Sequence, residues 1–220
     1  MDDTPITVFL ADDHDILREG LRVLLDARDE FEVVGEAADG REAVQRVRVL
    51  KPDIVIMDIA MPELNGIEAT RLLHEDCLDT RVLILSMYGT RAHVFRALQA
   101  GAHGYLVKRS AGPELIEALQ AVRRGERFLS RHVTDIVVDG YLVAGAGVPE
   151  EDPLLALSSR EREVLQLLAE GCDNKTIAAK LHLSPKTVHT YRSRMLLKLG
   201  LHDTTALIRF AVQHGVTPEA

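Results

Sequence analysis

The sequence predicts an α/β domain, a doubly wound parallel sheet of five βα units, followed by a small all-α domain. Within the first 125 residues, short apolar and β-branched runs alternate with stretches of helical periodicity, a pattern typical of βα units. The runs are apolar throughout, as in Ile54-Val55-Ile56, which indicates strands covered by helices on both faces. After Leu157 only helical spacing remains.

Each unit of the α/β domain contributes one strand and one helix. The predicted strands cover residues 6–11, 32–37, 53–58, 81–86 and 103–107. The predicted helices cover about residues 14–28, 40–50, 64–75, 90–100 and 113–124. In open parallel sheets the functional crevice lies outside the carboxyl ends of the strands, so we look there for chemistry.

A linker is predicted between the two domains. Residues 130–144 carry apolar side chains at helical offsets, and residues 145–153 combine small residues, two prolines and acids, a composition typical of linkers. We therefore expect domains at residues 1–127 and 154–220, joined by a linker at residues 128–153 that contains one helix.

Four helices are predicted in the second domain, at about residues 158–169, 173–182, 184–199 and 203–214. Ser158 or Ser159 is expected to cap the first helix. Asp173 or Asn174 is expected to cap the second, and Ser184 ahead of a proline the third. The two- or three-residue turn between the second and third helices is typical of a helix-turn-helix.

The charge of the chain is unevenly distributed. The formal net charge is −8, which alone argues against a nucleic-acid partner because phosphate neutralisation supplies much of non-specific affinity. Residues 1–152 hold 28 acidic and 17 basic side chains, however, whereas residues 153–220 hold 6 and 9. This asymmetry predicts two domains with different partners.

Several classes of protein are excluded by composition. No apolar run approaches the ~18 residues of a membrane-spanning helix, and the first residues do not have the pattern of a signal peptide. The two cysteines, Cys77 and Cys172, form no CxxC pair, so neither a disulfide framework nor a zinc site is expected. We expect a cytoplasmic protein that does not bind membranes.

Polar side chains follow four of the five predicted strands, at the edge where the crevice is expected. They are Asp12, Asp13, Asp58, Ser86 and Lys108. Taken singly, these acids are ordinary helix caps or solvated surface groups. Taken together, three carboxylates would repel one another unless a cation lay between them, and a hard divalent ion, Mg²⁺ first, suits oxygen ligands. His14, His74, His93 and His103 show no metal-binding spacing and are expected to be surface or hydrogen-bonded residues.

The segments LADDHDILREGL, DIVIMDIAMPELNGIEATR, VLILSM and GAHGYLVK resemble the receiver domain of two-component response regulators across residues 6–124. The resemblance implies a flavodoxin-like fold with Asp58 as phosphoacceptor. It implies Mg²⁺ ligands at Asp13, at Asp12 mostly through water, at Asp58 and at the Ala60 carbonyl. It further implies that Ser86, Tyr105 and Lys108 form the switch that responds to phosphorylation, while a half-buried core role is an equal alternative for Tyr105.

A phosphatase of the haloacid dehalogenase type is an alternative with related chemistry. Those enzymes also use an aspartate nucleophile and magnesium, but they require a second acid two residues after the nucleophile. Here that position is Ala60, which favours a receiver. The sequence departs from many receivers at Arg109, where they have proline, and at Met87, which is bulkier than usual.

The third helix of the second domain is basic. From Lys186 to Lys198 it has four cationic residues and no acid. A buried stripe is predicted at Val188, Tyr191, Met195 and Leu199, at offsets of three and four. The opposite face and its flanks suit a DNA major groove, although a solvated basic face is the commoner meaning of an isolated cluster. The predicted DNA contacts are Lys186, Thr187, His189, Thr190, Arg192, Ser193 and Arg194.

Residues 157–214 resemble a LuxR-type helix-turn-helix. With the receiver, the whole chain is similar to the NarL/FixJ family of transcription factors. That resemblance implies a regulator, not a metabolic enzyme, whose phosphodonor is a separate histidine kinase, whose phosphorylated form is a homodimer on double-stranded DNA, and which has RNA polymerase as a further partner. The alternative is a DNA-binding protein controlled by protein contacts or a ligand instead of phosphorylation.

Overall fold

The α/β domain is built on six parallel strands in the computed structural model, which describes residues 4–143 and 152–217. The strands are β1 (Ile6–Ala11), β2 (Phe31–Ala37), β3 (Ile54–Met57), β4 (Arg81–Ser86), β5 (Gly104–Val107) and β6 (Phe128–Leu129). Their order is β2-β1-β3-β4-β5-β6. The doubly wound sheet is confirmed, and β6 is an addition, because two residues are too few to produce a periodic signal in the sequence.

Helices cover both faces of this sheet, as the apolar strands require. They are α1 (Asp15–Asp26), α2 (Gly40–Leu50), α3 (Gly66–Asp76), α4 (Arg91–Gln99), α5 (Ala111–Arg123) and α6 (Arg131–Val143). Side chains of α1 and α5 form one core with the sheet, and those of α2, α3, α4 and α6 form the other. The predicted helix near residues 130–144 coincides with α6, while most of the segment 145–153 lies outside the described residues.

The C-terminal domain has a separate core. Its helices are α7 (Ser159–Ala169), α8 (Asn174–Leu181), α9 (Pro185–Leu199) and α10 (Thr204–Gln213), preceded by a short 3-10 turn at Pro153–Ala156. Of the alternative caps, Ser158, Asp173 and Ser184 accept hydrogen bonds from the first turns of α7, α8 and α9. None of the helices in the described part of the chain is long and apolar enough to cross a bilayer.

Sheet order decides where the acidic residues meet. Because β1 and β3 are neighbours, and β2 lies outside β1, successive connections run in opposite directions from this pair. The carboxyl ends of β1 and β3 therefore border the crevice of a doubly wound sheet. Asp12 and Asp13 directly follow β1, and Asp58 directly follows β3.

Candidate functional site

The structure brings Asp12, Asp13 and Asp58 together at the carboxyl edge of the sheet. We call these three acids, with Ser86 and Lys108, the acidic edge. Asp58 and Asp12 are each only 2% exposed. The Nζ of Lys108 lies 2.8 Å from Oδ2 of Asp58 and 2.7 Å from Oδ2 of Asp12. This lysine thus neutralises part of a charge that would otherwise be buried and uncompensated.

Burial controls the protonation of Asp58. Desolvation raises the pKa of its carboxyl above the ordinary value, Lys108 opposes this shift, and the neighbouring Asp12 adds to it. Burial lowers the pKa of Lys108, but Asp58 and Asp12 outweigh that effect and raise it overall. The lysine is therefore charged in this site.

Side-chain ligand atoms of Asp12, Asp13, His14 and Asp58 all lie within 4.8 Å of one another. His14 is exposed, as predicted, and its Nδ1 lies 3.1 Å from Asp12 Oδ1 and 2.7 Å from Asp13 Oδ1, so it joins this cluster although no spacing in the sequence indicates a metal ligand. Asp13 Oδ1 is buried, and its contact with His14 is not aligned as a hydrogen bond. Carboxylate oxygens gathered in this way fit a hard divalent cation.

The loop that follows Asp58 is tightly built. Ile59 donates its backbone N–H to Asp58 Oδ1 at 2.7 Å, and Gly66 donates to the Ile59 carbonyl at 2.9 Å. A Cβ atom on Gly66 would lie 1.8 Å from the Asp58 carbonyl oxygen, so glycine is required there. Ala60 lies half-buried within this loop. The loop fixes the carboxylate of Asp58 and leads directly into α3.

Two of the predicted switch residues lie on β4 and β5: Ser86 belongs to the acidic edge, and Tyr105 lies on the neighbouring strand. Ser86 is fully buried and its Oγ accepts a hydrogen bond from Tyr88 N at 3.2 Å. Tyr105 is also fully buried, and its hydroxyl donates to the Tyr88 carbonyl. Burial raises the pKa of Tyr105, so the phenol is neutral. The Lys108–Arg109 peptide bond is trans.

Helix α9 is exposed on the face predicted for DNA. Val188 and Met195 are fully buried, while Tyr191 and Leu199 are half-buried against the domain core. On the opposite face Leu197 is 85% exposed. The exposed predicted contacts are Lys186, His189, Thr190, Ser193 and Arg194, with Thr187 half-buried.

Arg192 differs from the prediction. Its guanidinium is half-buried and donates to Asn174 Oδ1 at 2.8 Å and to the hydroxyl of Thr204. This side chain therefore joins α8 and α10 to α9 instead of extending freely from the basic face.

Each half of the chain matches a known protein family. Residues 8–120 match the response regulator receiver domain, and residues 155–211 match the bacterial regulatory proteins of the luxR family. The chain is a two-component response regulator of the NarL/FixJ family. It is 40% identical over 212 residues to the uncharacterized transcriptional regulatory protein YhcZ of Bacillus subtilis, covering 96% of this chain and 98% of that protein.

Further relatives have the same full-length arrangement. The chain is 37% identical over 209 residues to the oxygen regulatory protein NreC of Staphylococcus carnosus, covering 94% and 96% of the two chains. Among solved structures, RcsB of Salmonella typhimurium is 28% identical with a TM-score of 0.59, covering 96% of this chain and 99% of that one. A structure of two RcsB dimers bound to two parallel DNAs has a TM-score of 0.59 at 27% identity, covering 95% and 98%.

The two domains of this response regulator contact each other directly behind the acidic edge. Gln166 of α7 is fully buried, donates to the Met61 carbonyl at 2.9 Å and accepts from Asn65 N at 2.7 Å. Arg162 binds Glu68 through both carboxylate oxygens. The loop after Asp58 therefore has two roles: it holds the Asp58 carboxylate in position, and it binds Gln166 of α7 through hydrogen bonds.

Sequence patterns could not reveal this interface. Gln166 and Arg162 lie on α7, and their partners, Asn65 and Glu68, begin α3 in the other domain. Each reads as an ordinary polar residue of an amphipathic helix. The available signal is the run of polar residues from Arg160 to Glu163. Because these residues fall on several faces of one short helix, not all of them can face solvent.

Proposed function

We propose that Asp58 accepts a phosphoryl group from a histidine kinase and that this modification controls dimerisation and DNA binding. The observation that carries the proposal is the buried Asp58 carboxylate, beside Lys108 and within one cluster with Asp12 and Asp13. A cytoplasmic location and RNA polymerase as a further partner are part of the same proposal, since both suit a DNA-binding transcriptional regulator.

Asp12, Asp13, Asp58 and the Ala60 carbonyl would hold Mg²⁺ beside the phosphoacceptor. The ion would supply positive charge to the oxygens of the transferred group. One Asp58 oxygen forms the new P–O bond while the P–N bond of the kinase phosphohistidine breaks. The imidazole leaves with the electron pair and takes a proton, and Lys108 donates hydrogen bonds to the phosphoryl oxygens.

The phosphoryl group carries about 1.5 to 2 negative charges, and it replaces the single charge of the Asp58 carboxylate. Lys108 would then move from Asp12 towards the phosphoryl group, and Ser86 would donate its hydroxyl to the same group. Since Tyr88 N donates to Ser86 Oγ and Tyr105 donates to the Tyr88 carbonyl, a shift of Ser86 changes the position of the segment that begins α4.

We infer that phosphorylation releases the C-terminal domain by weakening the interface behind the acidic edge. Gln166 binds the loop that connects Asp58 to α3, so any movement of this loop changes the geometry of a fully buried amide. A buried polar group that loses its partners costs about 1 to 3 kcal/mol. Phosphorylation can therefore weaken domain docking through a few hydrogen bonds.

DNA binding is proposed for α9, with His189, Thr190 and Ser193 facing base edges and Lys186, Thr187 and Arg194 facing phosphates. Arg192 contributes by holding α9 in place. A single short helix reads few bases, so two copies on adjacent half-sites are needed for affinity and specificity. This requirement favours a homodimer as the DNA-binding form.

Incubation with acetyl phosphate and Mg²⁺, followed by intact mass measurement, tests the proposal. The wild-type protein should gain the mass of one phosphoryl group, and a chelator should prevent the gain. Asp58→Asn should gain nothing, whereas Asp26→Asn, an exposed acid at the end of α1, should behave as wild type. Absence of phosphoryl transfer to the wild type would favour control by protein contacts or a ligand.

A further inference from the structure

A histidine lies at a second contact between the receiver and the C-terminal domain. His93 on α4 is 7% exposed and faces Gly215, which follows α10. A Cβ atom on Gly215 would lie 2.4 Å from Nε2 of His93, and Gly215 has a φ of +62°. The backbone of the C-terminal domain therefore packs directly against the imidazole ring, at a place where a side chain would not fit.

The remaining sides of this imidazole are also occupied. Its Nδ1 lies 2.7 Å from Thr90 Oγ1, and the ring stacks on Tyr88 with centroids 4.7 Å apart and planes inclined by 15°. Nε2 is buried and makes no well-aligned hydrogen bond with the described residues. The ring thus has one side-chain partner, at Nδ1, and Nε2 faces the backbone of Gly215, which only partly offsets the cost of a charged ring.

The charged groups around His93 come from three elements. Arg96, one turn later on α4, pairs with Asp152 at 3.1 Å and donates to the His214 carbonyl at 2.8 Å. His214 ends α10, and burial lowers its pKa. Tyr88 and Thr90 bring no charge. A proton on His93 would therefore place a second cation beside Arg96, with Asp152 as the shared acid.

We propose that His93 is a pH-sensitive latch between the two domains, which holds while its imidazole is neutral and opens when the ring is protonated. The latch is independent of phosphorylation, but the two signals meet at one segment. Tyr88, which stacks on His93, also donates its N–H to Ser86 Oγ. A proton and a phosphoryl group would thus act on the same end of α4.

The direction of the pH effect follows from the ring's surroundings. Burial first, and then Arg96, lower the pKa of His93 from 6.5 to about 4 in the docked form. Undocking exposes the ring and raises its pKa towards the ordinary value, while Arg96 stays beside it on α4, so docking releases a proton. Docking is strongest above pH ~6.5 and weakens as the pH falls, by up to about tenfold between pH ~8 and pH ~5.5.

Small-angle scattering of the unphosphorylated full chain at about pH 8 and about pH 5.5 measures the docked fraction. We expect the wild-type radius of gyration to rise on acidification. His93→Gln, which cannot titrate, should remove most of this rise, whereas His202→Gln, an exposed histidine of the C-terminal domain, should retain it. Gly215→Ala should give the open form at both pH values.

Three results would overturn the latch. The first is a pH response in His93→Gln as large as that of the wild type, and the second is the absence of a pH response from the wild type. The third applies if His93→Gln is open at every pH: NMR titration of His93 in the wild-type full chain would then give a pKa near the ordinary value while the domains stay docked.

Discussion

The acidic edge and the basic face of α9 hold their functional side chains in opposite ways. At the acidic edge Asp12, Asp58, Ser86 and Lys108 are buried, and strand ends position them. On α9 the corresponding side chains extend into solvent, with partners inside their own helix. The side chains of the acidic edge are already held by contacts within the protein, whereas those on α9 would acquire intermolecular contacts only when DNA binds. Changes should therefore affect both stability and chemistry in the first region and DNA binding alone in the second.

The largest effect is expected for Lys108→Met. Without the ammonium group, Asp12 and Asp58 remain buried with no cation between them, so we expect a loss of about 3 kcal/mol in unfolding free energy and no phosphorylation. Urea unfolding measures the first and acetyl phosphate labelling the second. Lys175→Met, which removes an exposed charge from α8, should cost less than about 1 kcal/mol. Equal losses in the two variants would show that the acidic edge does not depend on its lysine.

The domain interface should give the next largest effect. Glu68→Gln keeps the shape of the side chain but removes the charge that Arg162 binds twice, leaving a buried guanidinium without its acid. We expect docking to weaken by about 2 kcal/mol, visible as faster proteolysis of the linker. Glu42→Gln, in the exposed pair with Arg46, is the matched control. Unchanged proteolysis of Glu68→Gln would mean that this pair does not hold the domains together.

On α9, Lys186→Ala and Arg194→Ala should each weaken binding to all DNA sequences and reduce the salt slope by about 1. Urea unfolding should be unchanged, because both side chains are exposed. Arg131→Ala removes an exposed charge from α6 and should leave DNA binding as in wild type. Binding isotherms at several salt concentrations provide the measurement. Slopes that do not change would place the phosphate contacts on another helix.

The smallest effect is expected for Ser193→Ala. Its hydroxyl donates to the His189 carbonyl at 3.2 Å, so the helix already satisfies its hydrogen and only the acceptor side is open to a base. We expect a change of about 1 kcal/mol or less in affinity together with an altered preference at one base position. Selection from random DNA shows such a change. Identical selected sequences for wild type and variant would exclude base contact by Ser193.

The sequence predicts the acidic edge well because each of its residues ends a strand or lies within two residues after one, and strand order then determines which strand ends are neighbours. The order of the strands in the sheet brings Asp13 and Asp58 together, and the alternation of strand and helix patterns in the sequence predicts this type of sheet. His93 could not be predicted as an interface residue, because its contact with Gly215 depends on how two separately folded domains dock. The same reason applies to Arg192: helical spacing places it on a flank of the predicted DNA-binding face, but only the packing of α8 and α10 shows that its donors are used.

The exposure of α9 has a consequence for the timing of the response. Docking uses α7, α8 and the end of α10, and leaves Lys186 and Arg194 open to solvent. Under the proposed function, an unphosphorylated molecule would therefore already make weak phosphate contacts along DNA. Phosphorylation would then act on molecules that are already close to their operators, and the delay would be set by the pairing of two molecules there.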